Sequence, residues 1–344
     1  MAAKAKTDDG ALKALKAAIR AKTPEKLYLF YGEEAYLRDY YLEKLQGVLL
    51  PPGTETFNLK TLDGKACSAL DIAQAADCLP MMAQNTMVVV TDYDLYKAAD
   101  REKELLLELL ADLPEYVCLV FVYDLIPYKA DGRSKLAAVW KQHGQVVEFP
   151  RQSQGDLADW VVRRFKATGH DIDSETARYL IFFCGDLMHT LAGEIEKVAA
   201  YAKNPRVTRK DIDAVATPQL DAVVFNLTDA LSAKDYDKAL TTLGELINLR
   251  EAPAMLLAVI AKHLRQLYSA RLALEAHQSQ ETLAKLWGMH PYPAGKLMTA
   301  ARRTELPWCR RALALAARTD LAIKNSYGDE VSLLSELVLE LAHG

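Results

Sequence analysis

Residues 27–45 read LYLFYGEEAYLRDYYLEKL and carry the clearest architectural signal in the chain. The first five residues, Leu27 to Tyr31, form an apolar and aromatic run that ends at Gly32, which is typical of a buried strand. Behind this run, large side chains recur every four residues along one face of a helix, at Leu37, Tyr41, Leu45 and Leu49. The stretch therefore predicts a strand, a tight turn and a helix.

The same alternation of strand and helix continues as far as Pro150. Apolar and β-branched runs at 87–91, 117–123 and 145–149 predict three more strands, with helical spacing of apolar residues between them. Strands that alternate with helices in this way are typical of a parallel sheet with helices on both faces. This region is predicted to be an α/β domain.

Beyond Pro150 the strand signals stop and only helical patterns remain. Ser153 and Asp156 have the spacing of a helix N-cap, and Pro218 marks a second joint. The predicted fold class is therefore α/β plus all-α. The predicted divisions are a tail and helix at 1–22, an α/β domain at 23–150, a small helical domain at 151–217 and a longer helical domain at 218–344.

Composition excludes several classes of protein. The 344 residues include 42 Lys and Arg against 46 Asp and Glu, so the net charge of −4 excludes a chain-wide basic field for nucleic acid. The five cysteines are scattered, with no CxxC pair and no histidine at zinc-site spacing, which indicates reduced thiols in a cytoplasmic protein. No apolar run approaches the roughly 20 residues of a membrane-spanning helix. We expect no metal, no cofactor and no membrane partner.

The turn after the first strand is where a mononucleotide-binding fold of this kind holds phosphate. A working P-loop reads GxxxxGK[ST], whereas this turn has Gly32, Glu33 and Glu34, one glycine followed by two carboxylates. Two interpretations stay open from the residues: a nucleotide fold that has lost its nucleotide, or a fold of another kind in which Gly32 is only a turn residue. The carboxylates that follow the later strands, Asp92, Asp94 and Asp124, are interpreted as turn residues.

Catalytic constellations are absent from the sequence. The seven histidines are far apart, and neither an HExxH nor a GxSxG motif occurs. His263 is interpreted as a packing or surface residue. No catalytic residue is predicted.

Met81 and Met82 follow Pro80 in a segment that lies between a predicted helix and a predicted strand. Methionine side chains are flexible and polarisable, so an exposed pair suits a protein-binding tip. Packing of the same pair beneath the sheet is the alternative that the residues leave open.

Several stretches in order along the chain resemble the δ-subunit family of the bacterial DNA polymerase III clamp loader. They are LYLFYGEEAYLRDYYLEKL at 27–45, PMMAQNTMVVV at 80–90, VYDLIPYKADGRSKL at 122–136, VVEFPR at 146–151, GDLMHTLAGEIEKVAAYA at 185–202, the helical stretch 223–271, HPYPAGKLMTAARRTELP at 290–307 and DLAIKNSYGDE at 320–330. The resemblance extends from Leu27 to the C-terminus.

This resemblance implies a degenerate AAA+-like (RecA-like) first domain without a functional P-loop, a helical lid and a helical collar. It implies a non-catalytic subunit of the DNA-directed DNA polymerase III holoenzyme, assembled in a five-subunit ring with the ATP-binding tau/gamma subunits and delta-prime. Its implied role is to bind the beta sliding clamp and open it for loading on primer-template DNA. The family's apolar plug falls on Met81 and Met82, where Leu or Phe is commoner.

Lys324 and Tyr327, in the turn before the last predicted helix, are candidate DNA contacts, a cation for phosphate and a ring for stacking. A solvated lysine and a packed tyrosine are the alternative for this pair. For the chain as a whole, the alternatives are an AAA+ ATPase with an unusual phosphate loop and a DNA-binding replication adaptor.

Overall fold

The computed structural model describes residues 9–129, 131–248, 250–289, 291–325 and 328–343. The chain divides into two compact units, one ending at Gln152 and the other beginning at Ser153. Within the described ranges, no helix combines the length and the apolar character needed to cross a membrane.

The first unit is a five-stranded parallel sheet with helices on both faces. Its strands lie in the order β2-β3-β4-β1-β5. The elements are α1 (Asp9–Ala21), β1 (Leu27–Tyr31), α2 (Ala35–Leu49), α3 (Glu55–Asn58), β2 (Leu59–Asp63), α4 (Ala69–Ala76), β3 (Thr86–Thr91), α5 (Asp100–Ala111), β4 (Val117–Val122), α6 (Lys135–His143) and β5 (Gln145–Glu148).

Two separate cores lie on the two faces of this sheet, because successive strand residues point to opposite sides. On one face, Leu27 and Leu29 of β1 pack with α4, α5 and α6. On the other, Tyr28 and Phe30 pack with Leu15 of α1 and with α2. The strands in the middle of the sheet are apolar on both faces for this reason, which is the pattern that made them visible in the sequence.

Four of the five strands were predicted, and the prediction of a parallel sheet covered on both faces is confirmed. β2 (Leu59–Asp63) and the short α3 that precedes it were not predicted. β2 is an edge strand that pairs only with β3 among the described strands, and most of its side chains are half-buried or exposed. It therefore lacks the continuous apolar run that identified the other strands.

Among its described residues, the regular secondary structure of the second unit is helical apart from one isolated bridge between Asp171 and Arg206. Its elements are α7 (Gln154–Ala167), α8 (Ser174–Cys184), α9 (Met188–Tyr201), α10 (Arg209–Val215), α11 (Leu220–Ser232), α12 (Tyr236–Asn248), α13 (Pro253–Glu275), α14 (Gln280–Trp287), α15 (Pro291–Ala301), α16 (Leu306–Lys324) and α17 (Glu330–Ala342). One core joins α11, α12, α13, α16 and α17, and a second joins α11 and α13 to α14 and α15.

Local sequence signals set the ends of these helices. The Ser153 hydroxyl accepts the backbone N–H of Asp156 at 3.2 Å, and this confirms the predicted N-cap of α7. All-α structure after Pro150 is confirmed, whereas the division of this unit into a lid at 151–217 and a collar at 218–344 stays a prediction.

Candidate functional site

The carboxyl ends of β1, β4 and β5 border a cleft of about 920 Å³. In a parallel α/β sheet this edge is where ligands are normally bound. The cleft is lined by Tyr31, Gly32, Glu33, Tyr123, Asp124, Leu125, Ile126, Pro127, Tyr128, Glu148, Pro150 and Arg151. The question for function is whether the turn between β1 and α2 is built to hold phosphate there.

This turn is short, and its backbone packs against Phe149, which follows β5. Only Gly32, Glu33 and Glu34 separate β1 from α2. Gly32 has a φ of +128°, and a Cβ at this position would lie 2.3 Å from the carbonyl oxygen of Phe149. The backbone N–H of Glu34 donates to the same carbonyl at 2.9 Å. Gly32 thus allows close backbone packing, and the amide of Glu34 is already committed within the protein.

Arg38, on the first turns of α2, is buried with its charge paired inside the unit. Its guanidinium donates to the carbonyl of Tyr123 at 3.2 Å and to the carboxylate of Asp124 at 2.7 Å. This ion pair ties α2 to the end of β4. Arg38 therefore stabilises the structure at the carboxyl ends of the strands.

The carboxylates that follow the strands also serve local structure. The buried carboxylate of Asp92 accepts the backbone N–H groups of Asp124, Leu125 and Ile126 at 2.9 to 3.2 Å. Asp94 forms an ion pair with Lys97 at 2.9 Å. Asp92 and Asp94 therefore hold loop and turn structure, whereas the carboxylate of Asp124 pairs with Arg38 and not within its own turn. In the described ranges, no group of three or more His, Cys, Asp and Glu side chains is arranged to hold a metal ion.

The segment between α4 and β3 carries the most exposed large apolar side chain of the described residues. Met82 is 86 % exposed, and Met81 is 57 % exposed. Leu79, in the same segment, is 73 % exposed. The structure therefore places the methionine pair on the surface and not beneath the sheet. We call residues 79–82 the apolar tip.

Side chains from outside the segment hold the backbone of the apolar tip and of the two residues that precede it. Asn58, at the end of α3, accepts the N–H of Met81 at 2.7 Å and donates to its carbonyl at 2.8 Å. The hydroxyl of Thr86 donates to the carbonyl of Cys78 at 3.2 Å, and that of Tyr116 donates to the carbonyl of Asp77 at 3.3 Å. An exposed apolar segment with this many internal ties is ordered without its side chains being buried.

Met82 has a φ of +57°, a left-handed conformation that is unfavourable for a residue with a Cβ. Backbone strain of this kind is usually found where the surrounding structure holds a functional segment in place. Met82 therefore combines a strained backbone conformation with an exposed side chain.

Two features of this site were not predicted from the sequence. Leu79 was visible as the apolar residue before Pro80, since LPMM is a run of large side chains in a loop. Asn58 had no sequence signal, because its contact with Met81 depends on the position of α3 beside the tip.

Lys324, one of the two candidate DNA contacts, is an exposed side chain at the end of α16. Its ammonium forms an i,i+4 ion pair with Asp320 at 2.7 Å. Tyr327 lies outside the described residues. The DNA contact of this pair stays a prediction.

The parallel sheet and its strand order define an AAA+-like fold, and the turn after β1 lacks the P-loop sequence. Two family models match the chain: residues 28–150 match "DNA polymerase III, delta subunit" and residues 221–341 match "DNA polymerase III delta subunit, C-terminal domain". The chain belongs to the DNA polymerase III delta-subunit family. The resemblance seen in the sequence is thereby confirmed.

Curated relatives agree with this assignment over most of the chain. It is 24 % identical over 323 residues to DNA polymerase III subunit delta of Bacillus subtilis, with 92 % of each chain covered. It is 23 % identical over 337 residues to the Escherichia coli subunit of that name, covering 94 % of this chain and 95 % of that one. Its fold is similar to the solved structure of the Bacillus subtilis DNA clamp loader delta protein, with a TM-score of 0.59, 20 % identity, and 97 % and 100 % of the two chains covered.

Proposed function

We propose that this chain binds the ring-shaped sliding clamp through its apolar tip and favours the open form of the ring. Membership of the delta-subunit family supports a place in a clamp loader. The apolar plug that the family resemblance implies falls on Met81 and Met82, which are both exposed. In this role the chain works beside replicating DNA in the cytoplasm.

The exposure of Met82 is the observation that carries the proposal. A large apolar side chain that is 86 % exposed loses contact with water when a partner covers it. Burial of such a side chain contributes about 1.5–3 kcal/mol. Met81 and Leu79 add to the same surface, so the apolar tip contributes favourable free energy to a specific contact.

Opening of the clamp requires a difference in affinity between two states of the ring. A partner shifts such an equilibrium only as far as it binds the open state more tightly than the closed state. We propose that the apolar tip docks beside a subunit interface of the clamp and fits the surface of the open interface better. In this mechanism the free energy of binding drives the mechanical opening of the ring.

We propose that the chain has no nucleotide-dependent activity of its own. The committed amide of Glu34 and the carboxylates of Glu33 and Glu34 leave no cradle for a triphosphate at the turn after β1. Nucleotide control then comes from ATP-binding partner subunits, tau/gamma, in a five-subunit ring completed by delta-prime. Primer-template DNA is met by that assembly, and Lys324 is a candidate contact within it.

The test replaces the two methionines by charged residues. Met81→Glu together with Met82→Glu should weaken binding of the full chain to the purified cognate clamp by at least about 100-fold, which corresponds to about 3 kcal/mol. Surface plasmon resonance measures the affinity. A clamp with a fluorophore pair across one subunit interface reports the opening in the same samples.

Leu125→Glu is the matched control. Leu125 is 73 % exposed but follows β4 at the carboxyl edge of the sheet, whereas the apolar tip precedes β3 at the amino edge. This variant should bind the clamp like the wild type. If the methionine double variant also binds normally while its circular dichroism is unchanged, the site assignment is wrong.

A further inference from the structure

We infer that Asn58 is a positioning residue that sets the conformation of the apolar tip before the clamp arrives. The inference rests on the function proposed above and names a residue that acts through Met81 rather than by touching the partner. The carboxamide of Asn58 meets the backbone of Met81, 23 residues further along the chain.

Every hydrogen-bonding group of the Asn58 carboxamide is used. Its nitrogen donates to the carbonyl of Met81 at 2.8 Å and to that of Thr54 at 3.0 Å, and its oxygen accepts the N–H of Met81 at 2.7 Å. The residue is completely buried, with an exposed fraction of 0 %. A buried amide with all its partners in place fixes one geometry, because any movement of Met81 leaves polar groups unsatisfied.

This contact gives Met81 both hydrogen bonds that a neighbouring strand would supply. With the N–H and the carbonyl of Met81 held, the direction in which the chain enters Met82 is set. Met82 then adopts its left-handed φ of +57°, a conformation that a free methionine seldom populates. Asn58 thus acts on a backbone segment that combines a left-handed φ at Met82 with exposed apolar side chains.

A preset tip binds more tightly than a mobile one because the partner does not have to order it. Without Asn58, residues 81 and 82 would sample many conformations, and only a fraction of them would present both methionines together. Affinity falls in proportion to that fraction. Because the same apolar area is buried once the complex has formed, the heat capacity change of binding should not alter.

The experiment compares Asn58→Ala with Asp92→Ala in the full chain. Asp92 is the matched control because it is also a buried side chain that holds a loop by three backbone hydrogen bonds, but at the opposite edge of the sheet. Isothermal titration calorimetry against the purified cognate clamp measures affinity, entropy and heat capacity change. Urea unfolding of both variants measures the loss of stability.

Asn58→Ala should bind the clamp about 10-fold more weakly than Asp92→Ala, with a less favourable binding entropy and an unchanged heat capacity change. A merely structural role would lower stability in both variants and leave their affinities equal, and that result would overturn the inference. The methionine double variant separates this failure from failure of the proposed function. If that variant also binds like the wild type, the site itself is wrong.

Hydrogen exchange on the unbound wild-type chain keeps the inference testable if Asn58→Ala does not fold. The amide of Met81 should exchange at least about 100-fold more slowly than an unstructured amide, because its partner is a buried side chain. Exchange of Met81 at the unstructured rate would mean that the tip is not preset, and would overturn the inference.

Discussion

His263, on α13, is a buried imidazole whose neighbours disfavour its charged form. Its Nδ1 lies 2.8 Å from the hydroxyl oxygen of Thr228, and its ring packs edge-on against Phe225 with centroids 4.9 Å apart. Burial lowers the pKa of His263 to about 4, with smaller and opposing effects from Asp221 and Lys262. The interpretation of this histidine as a packing residue is confirmed.

The lowered pKa of His263 predicts a loss of stability in mild acid. Below pH 6.5 the imidazole takes up a proton in the unfolded chain, whereas in the folded chain it stays neutral until about pH 4. Protonation therefore favours the unfolded state between these values. The free energy of unfolding should fall by about 2 kcal/mol between pH 7 and pH 5. Urea unfolding at the two pH values measures it.

His263→Gln should remove most of this pH dependence, and His143→Gln, at an exposed position, should leave it intact. Asp71, in the capping box of α4, and Asp329, the N-cap of α17, do not interfere, because hydrogen bonds lower the pKa values of these carboxylates and they lose their stabilising effect only in stronger acid. An equal pH dependence in the wild type and His263→Gln would contradict the prediction.

At the scale of elements, the side chain of Lys296 joins three helices of the second unit. Its ammonium lies 5.0 to 5.5 Å from the centroids of four aromatic rings. These rings belong to Tyr179 and Phe182 of α8, Phe225 of α11 and Tyr292 of α15. Burial lowers the pKa of Lys296, and Arg209 acts in the same direction. The electron-rich faces of the rings favour the cation in place of water.

A negative charge in this position should separate the helices. Lys296→Glu places a carboxylate against ring faces that repel it, so we expect a loss of about 2–3 kcal/mol in stability. Lys296→Arg keeps a cation near the rings and should cost less than 1 kcal/mol, on the order of a conservative surface change. Thermal unfolding followed by circular dichroism compares the two. Equal melting temperatures would show that the rings do not select a cation.

For individual elements, the sequence was sufficient to predict the strands and helices whose local pattern of apolar residues reflects their burial. β1, β3 and β4 are apolar on both faces, β5 has the apolar pair Val146 and Val147, and the helices have apolar residues at helical spacing. β2 was not predicted because its side chains are half-buried or exposed, and such a strand has no continuous apolar run. The exposure of Met82 was equally undecided, since the same residues fit a buried or a surface position.

At the scale of the whole molecule, a nucleotide fold without a phosphate loop should not respond to ATP. We expect no saturable binding of a fluorescent ATP analogue to the isolated chain at concentrations up to about 1 mM, because the turn at Gly32 is closed by Phe149. Fluorescence anisotropy measures the binding. An ATP-binding clamp-loader subunit provides the positive control, and micromolar binding by this chain would contradict the assignment of a degenerate site.

The amino-acid sequence by itself determined the order and type of most elements, the missing P-loop and the family. The elements and the missing P-loop depend on residue types at short spacing, which local periodicity and motifs record directly. The family followed from the resemblance of several stretches in order along the chain. Tertiary structure alone decided that Met82 is exposed, that Asn58 holds Met81, and that Arg38 pairs with Asp124 across 86 residues of sequence. These contacts depend on which elements lie side by side, and packing of the whole unit establishes that arrangement.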